Sequence, residues 1–215
     1  MDSQEEAKAI ALARGLSKKR RNAITALASA GVPAAILALL FPIHFMACLV
    51  GFLAGILWAN LFEYVYHRFV LHVPINYLME RHLQHHATLG TPAEAEHLNF
   101  GESPLYVIGL FAANTVPVGL LDWRLHLGCA PGVLMAFGVY FIATEEIHWR
   151  IHLGAWLPPG LEVARKFHMA HHRRPHSRFA VFLPLFDWLL DTTRDRAEIS
   201  HVRHFERTDG RGRAR

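Results

Sequence analysis

What most constrains this chain is the coupling of long apolar runs to blocks of histidine. His67 to His86 reads His-Arg-Phe-Val-Leu-His and, ten residues on, His-Leu-Gln-His-His. His148 to His172 repeats the plan as His-Trp-Arg-Ile-His and then His-Met-Ala-His-His. Ten of the sixteen histidines fall in these two blocks, and each block follows apolar runs near the twenty residues that cross a bilayer.

Composition supports the membrane reading. A chain that is 52% hydrophobic and 19% charged is too apolar for an ordinary soluble domain. Its net charge of +4 does not argue for nucleic acid, because the basic residues flank the apolar runs; an anionic membrane surface is the better partner. Cys48 and Cys129 lie in apolar surroundings with no metal-like spacing and read as structural thiols. Any metal must therefore be held by something other than sulfur.

The pattern predicts an all-α fold: a membrane-embedded four-helix bundle with a cytoplasmic helical cap carrying the histidine cluster. Residues 1–22 are a polar and basic segment ending in Lys18-Lys19-Arg20-Arg21, with a short surface helix expected. Ala28-Ser29-Ala30 looks like a signal cleavage site, but the apolar run continues to Phe41, so a retained anchor is expected. A membrane domain follows over 23–192, with spans at about 23–41, 43–66, 105–121 and 125–147. The first two spans form a tight hairpin that either crosses the bilayer or only dips into it. Phe179–Leu190 reads as an interfacial segment, and 193–215 as a flexible basic tail. All Lys and Arg except Arg124 fall on one side of these spans, 21 of 22. That side, with both termini and both histidine blocks, is expected to be cytoplasmic.

Spacing turns the histidines into a candidate metal site. On a helix, residues i, i+3 and i+4 share a face about 100° wide; His82, His85 and His86 satisfy this, as do His168, His171 and His172. His148 and His152 stack at i, i+4. His67 and His72, at i, i+5, lie roughly 140° apart on an ideal helix, so the chain must distort near Val70, with a bend between Arg68 and Pro74. Ten imidazoles are too many for one closed four-coordinate zinc. Two six-coordinate ions with about five nitrogens each and an open position use them well, and imidazole suits iron among others. Glu63, Glu145 and Glu146 are cast as carboxylates that orient the imidazoles. His97 and His176 are possible additional ligands, whereas His44, His126, His201 and His204 read as ordinary packing or surface residues.

The order H-x4-H, H-x2-HH, H-x3-H, H-x2-HH resembles the fatty acid hydroxylase and sterol desaturase superfamily of integral-membrane di-iron oxygenases. The likeness begins at Glu63-Tyr64-Val65-Tyr66-His67-Arg68-Phe69 and runs to Thr192, with Phe182-Leu183-Pro184-Leu185-Phe186-Asp187-Trp188 similar to the family's closing segment. Ala180 stands where the family often has Gly, and Asp191-Thr192 where it often has Gly-Thr. The resemblance implies that His67, His72, His82, His85, His86, His148, His152, His168, His171 and His172 hold two non-haem irons, with no catalytic residue beyond the ligands. It implies dioxygen as co-substrate and hydroxylation or desaturation of a lipid (fatty acyl, sphingolipid, sterol or carotenoid) entering from the bilayer. Relatives often carry a fused haem-protein domain; the 22 residues before the first span hold none, so an external ferredoxin-like or haem-protein electron donor is expected.

Two other classes use histidines in membranes. A metal transporter would place ligands near the bilayer midplane along a path, but these lie past helix ends on one face. A bis-histidine haem protein has no use for the triplets.

Overall fold

The structure, a computed structural model, describes residues 3–42, 44–73 and 77–194. Pro74, Ile43, His201, His204 and the tail from residue 195 onward lie outside the described residues, so the expectations placed on them are not addressed. Every regular element among the described residues is helical. In order they are α1 (Ser3–Leu40), α2 (Phe45–Tyr66), a π-helical segment (His67–Leu71), α3 (Tyr77–Ala87), a 3-10 turn (Glu94–His97), α4 (Pro104–Leu125), α5 (Ala130–His152), α6 (Glu162–Arg173) and α7 (Leu185–Leu189). Four helices are long and apolar enough to cross a membrane: α1, α2 with its π-helical extension, α4 and α5. Four such helices are present, as expected, but their bounds differ from the expected spans: α1 is far longer, α4 continues to Leu125, and α5 begins at Ala130 and continues to His152.

The largest difference is in α1. Residue 22, expected as a boundary, lies inside an unbroken helix of 38 residues, about 57 Å long at 1.5 Å per residue. A bilayer core is about 30 Å thick, so one end of this helix must extend beyond it. The N-terminal half is not a separate surface helix. It is pinned to the segment before α4: Asn99 donates to Gly15 O (2.9 Å), Lys18 Nζ to Glu96 O (2.9 Å), Arg21 to Glu102 O (2.6 Å) and Asn22 Nδ2 to Phe100 O (2.8 Å). Lys18, at the basic end of the expected polar segment, is buried, its ammonium bonded to Glu96 O and Glu102.

Helix α5 is the centre. Half of its apolar stretch is buried, against 17–22% for the other three, because α1, α2 and α4 all pack on it. Lipid tails are as apolar as leucine, so helices in a bilayer gain from close backbone approach more than from burying large side chains. The contact residues follow that logic. On α2, Gly51, Gly55 and Ala59 form one buried ridge, and on α1 Ala26, Ala30 and Ala34 form another. A Cβ at Gly51 would stand 2.2 Å from Cys129 O, and one at Gly132 would stand 2.0 Å from Cys48 O. Cys48 and Cys129 are free thiols in this seam, as their apolar setting implied. Polar ties also cross between helices: Trp58 donates to Asn114 (2.9 Å), and Asn60 donates to Tyr140 Oη (2.7 Å) and Leu183 O (2.7 Å).

Of the expected interfacial segment, Phe179, Ala180 and Val181 are buried, while Trp188 and Leu189 on α7 are exposed. The segment therefore divides into an inner strap and an outer apolar tip.

The seam yields a stability test. Gly132→Ala drives a methyl into a backbone carbonyl and should cost about 1–3 kcal/mol as overpacking. Gly109→Ala, where a Cβ meets nothing within 4 Å, should be neutral or slightly stabilising by helix propensity. Thermal unfolding of the two variants in detergent checks the contrast; equal melting temperatures would contradict the packing account.

Candidate metal centre

Each histidine is placed by a helix end. His67 closes α2, His82, His85 and His86 sit in the last turns of α3, His148 and His152 end α5, and His168, His171 and His172 end α6. The carbonyl ends of helices carry partial negative charge, which favours a cation nearby. The distortion required by the His67–His72 spacing is the π-helical segment itself. Its i→i+5 hydrogen bonds widen the turn, so a residue five positions on comes to lie above the first. The two rings stack at 5.1 Å with an interplanar angle of 21°.

The ten imidazoles gather into two groups. In one, His85, His148, His152, His168 and His172 offer nitrogens that all lie within 4.8 Å of one another; in the other, His67, His72, His82 and His171 do so. His86 joins the second through His82, Nε2 to Nε2 at 3.0 Å. The blocks are thus interleaved: the middle histidine of each triplet crosses over, His85 to the α5–α6 group and His171 to the π-segment group. Helix geometry permits this, since i+3 and i+4 flank residue i on opposite sides, by about −60° and +40°.

The nitrogen geometry is that of a metal site. His168 Nε2 stands 3.0, 3.0 and 3.1 Å from Nε2 of His148, His152 and His172. His82 Nε2 stands 3.0, 3.1 and 3.0 Å from Nε2 of His67, His72 and His86. One N–H cannot serve three acceptors. Moreover, four rings already commit their Nδ1–H elsewhere: His67 to Phe179 O, His148 to Leu98 O (3.1 Å), His171 to Ser177 O (2.8 Å) and His152 to Glu94 Oε1 (2.8 Å). Their Nε2 atoms are then lone pairs pointing at lone pairs. His85 is buried with neither ring nitrogen hydrogen-bonded to protein. A cation in each group resolves all of this. With metal–nitrogen bonds of about 2.1 Å, neighbouring ligands stand about 3.0 Å apart at 90° but about 3.4 Å apart in a tetrahedron. The six spacings about His168 and His82 match the former, that between Nε2 of His72 and His171, at 3.3 Å, lies between the two values, and the residues fit two ions bound mainly by imidazole.

A family model described as fatty acid hydroxylase matches residues 52–192. The chain belongs to the fatty acid hydroxylase family. Its fold is similar to that of a solved structure of full-length Scs7p in which only the hydroxylase domain is visible, with a TM-score of 0.54 and 21% sequence identity. The likeness covers 78% of this chain and 61% of that one, so this chain spans about three-fifths of its neighbour's length. No curated protein sequence matches.

In this fatty acid hydroxylase family member, the carboxylates singled out in the sequence have other partners. Glu63 accepts from Tyr140 Oη (2.5 Å) and Val181 N (3.0 Å). Glu145 accepts from Asn22 and from Phe100 N (2.7 Å), and Glu146 from Lys19 and Arg150. Among the described residues, the carboxylate hydrogen-bonded to a histidine ring of the two groups is Glu94, itself held by Gly90 N at 2.9 Å. No motif marks Glu94, because it stands 58 positions from His152. His97 contacts Gln84 (3.3 Å), and neither His97 nor His176 falls in the two groups.

Two irregular segments brace the groups. Residues 94–98 supply Glu94 and the Leu98 carbonyl to one, and residues 177–179 supply the Ser177 and Phe179 carbonyls to the other. Arg178, between those carbonyls, has φ 64°, a left-handed conformation costing a non-glycine residue about 1–3 kcal/mol. Asp187 holds the strap in place, accepting from Phe179 N (2.9 Å), Ala180 N (2.8 Å) and Thr192 Oγ1 (2.7 Å). Ala180 and Thr192 thus both belong to this brace.

Burial, and secondarily neighbouring histidines, push His72 and His86 down to about 4 and His171 to about 3, while His82, His85, His168 and His172 are also lowered. All are therefore neutral, ligand-competent imidazoles near pH 7. The unfolded chain takes up protons at about 6.5 and the folded chain does not. Stability of the metal-free protein should be full above about pH 6.5 and fall as the pH drops toward 4; a flat denaturation midpoint across that range would contradict it. Asp187→Ala, by loosening the strap, should weaken metal binding about 10–100-fold, read as metal content after dialysis against a chelator. Wild-type retention would contradict the bracing role.

Proposed function

We propose that this protein is a membrane-bound di-iron oxygenase that uses dioxygen to hydroxylate an unactivated C–H bond of a lipid. The observation that carries this reading is a single cavity of about 190 Å³ that reaches both histidine groups. His67 and His82 of one group and His85, His148 and His168 of the other line it, together with apolar walls from Ala59, Phe62, Leu110, Phe137 and Phe141. A transporter or a haem site has no need for two imidazole groups that face one apolar chamber.

The ten histidines would hold two irons, which supply reductive activation of dioxygen and oxidation of a C–H bond. The chain supplies the rest. Carbonyls of Leu98, Ser177 and Phe179 and the Glu94 carboxylate fix four rings with Nε2 inward. The apolar walls exclude water and align a hydrocarbon segment beside the histidines, where desolvation also limits side reactions. The lipid enters from the bilayer, and an external ferredoxin-like or haem-protein donor provides electrons. The histidine face is cytoplasmic, since 21 of 22 Lys and Arg lie on that side of the four spans.

Lipid profiling under labelled dioxygen tests this reading, in a host expressing wild type or His171→Ala. One lipid class should gain a single labelled oxygen with wild type and lose it in the variant. An unlabelled product, or one unaffected by His171→Ala, would refute it. Purified protein given NAD(P)H should not turn over until a donor protein is added; robust turnover without one would remove the donor from the account.

A further inference from the structure

Among the described residues, three side chains lining the cavity carry hydroxyls: Tyr66, Tyr140 and Thr144. Two of these hydroxyls are committed within the protein. Tyr140 Oη donates to Glu63 Oε2 at 2.5 Å, and Thr144 Oγ1 donates to the Tyr140 carbonyl at 2.9 Å. Tyr66 differs. Its ring is held by Phe62, stacked at 5.6 Å and 18°, and by Phe100 at 5.9 Å, both of which also line the cavity. Its hydroxyl has no hydrogen-bond partner among the described residues, and the oxygen is not sealed in the interior as Asn99 Oδ1 is. With the ring gripped by two phenylalanines, the phenolic edge is what remains to meet an occupant.

Packing alone does not account for that hydroxyl. Where the aromatic wall is only apolar the chain uses phenylalanine, at Phe62, Phe100, Phe137 and Phe141. An unpaired hydroxyl against bound hydrocarbon is unfavourable, so Tyr66 gains over phenylalanine only when its partner comes with the occupant. Its place is close to the chemistry: Tyr66 precedes His67 in the chain, and His67 and His82 line the same cavity. The charged groups limit what that partner can be. The lining carries three carboxyls, Glu63, Glu102 and Glu145, against two cations, Lys18 and Arg81. Both cations already approach Glu102 Oε1, at 3.0 and 3.5 Å. Nothing in this balance favours an anionic ligand, so a neutral oxygen is the better match for Tyr66.

We propose that Tyr66 Oη is a specificity-determining contact for the substrate, bonding a hydroxyl or carbonyl oxygen of the lipid and so placing the carbons near that oxygen beside the histidines. The substrate class is then a neutral oxygenated lipid whose oxygen lies in the part that enters the cavity, and not a bare hydrocarbon segment. The proposal deepens the hydroxylase reading and rests on it for the oxidation of those carbons, but not for binding.

The test is equilibrium binding of tritiated 1-hexadecanol to the purified protein in detergent without a reductant, with 2-hexadecanone, hexadecane and hexadecyl phosphate as competitors. Wild type should bind the alcohol, the ketone or both more tightly than hexadecane. Preference for one of the two supports the contact and names its oxygen. Tyr66→Phe should weaken binding of the preferred probe about 3–10-fold, the scale of one neutral hydrogen bond, and leave hexadecane unchanged. Thermal unfolding of ligand-free Tyr66→Phe should match wild type, because no internal hydrogen bond is lost; a lower melting temperature would assign the hydroxyl a structural role and overturn the proposal. A wild type that binds hexadecane as tightly as both oxygenated probes, or a preference that survives Tyr66→Phe, would overturn it as well. So would hexadecyl phosphate binding more tightly than either neutral probe. Binding is read without turnover: absence of the preference with labelled product intact refutes the Tyr66 contact alone, and a Tyr66-dependent preference without any oxygenated product refutes the hydroxylase reading alone.

Discussion

The structure depends on one electrostatic constraint: neutral imidazoles are held with their lone pairs converging in a desolvated place. Three Nε2 atoms about His168 and three about His82, each near 3.0 Å, are not a stable hydrogen-bonded arrangement. They make sense around a cation. Other features of the fold then read as ways to bring ten rings to two points and keep them there. Small residues let α1, α2 and α5 approach closely, so that helix ends converge. The π-helical turn brings His67 and His72 over one another. Two irregular segments present carbonyls to Nδ1–H groups, which fixes the tautomers and frees Nε2.

This view explains why irregular backbone concentrates near the histidines. Helices use up their own carbonyls, so a ring that needs an acceptor must find a segment outside a helix. Leu98, just past the 3-10 turn, and residues 177–179 supply those carbonyls, and each stretch is anchored in turn, the first by α1 and the second by Asp187. The long N-terminal half of α1 therefore contributes to the site at one remove. Its contacts to Glu96, Asn99, Phe100 and Glu102 hold the stretch that carries Glu94 and Leu98.

Much of this was legible in the sequence, for identifiable reasons. Histidine spacing is a local property, and local geometry turns i, i+3, i+4 into a shared face. The i, i+5 pair likewise forced a distortion, found as the π-helical segment. What depends on how separate helices meet could not be read. The exchange of His85 and His171 between groups is set by the approach of α3 and α6. Glu94 meets His152 across 58 positions without a motif, whereas Glu63, Glu145 and Glu146 sat closer in sequence and face other partners. The basic run at Lys18–Arg21 looked like a boundary because charge usually marks solvent; here the helix continues and Lys18 is buried.

The central claim is that each chain holds two metal ions in separate, imidazole-rich sites of high coordination number. Metal analysis combined with X-ray absorption spectroscopy of the purified protein tests it most directly. The account predicts about two irons per chain, each with mostly nitrogen neighbours, five or six in number, at about the 2.1 Å typical of metal–imidazole bonds. A single four-coordinate ion per chain, or a shell containing sulfur, would contradict it.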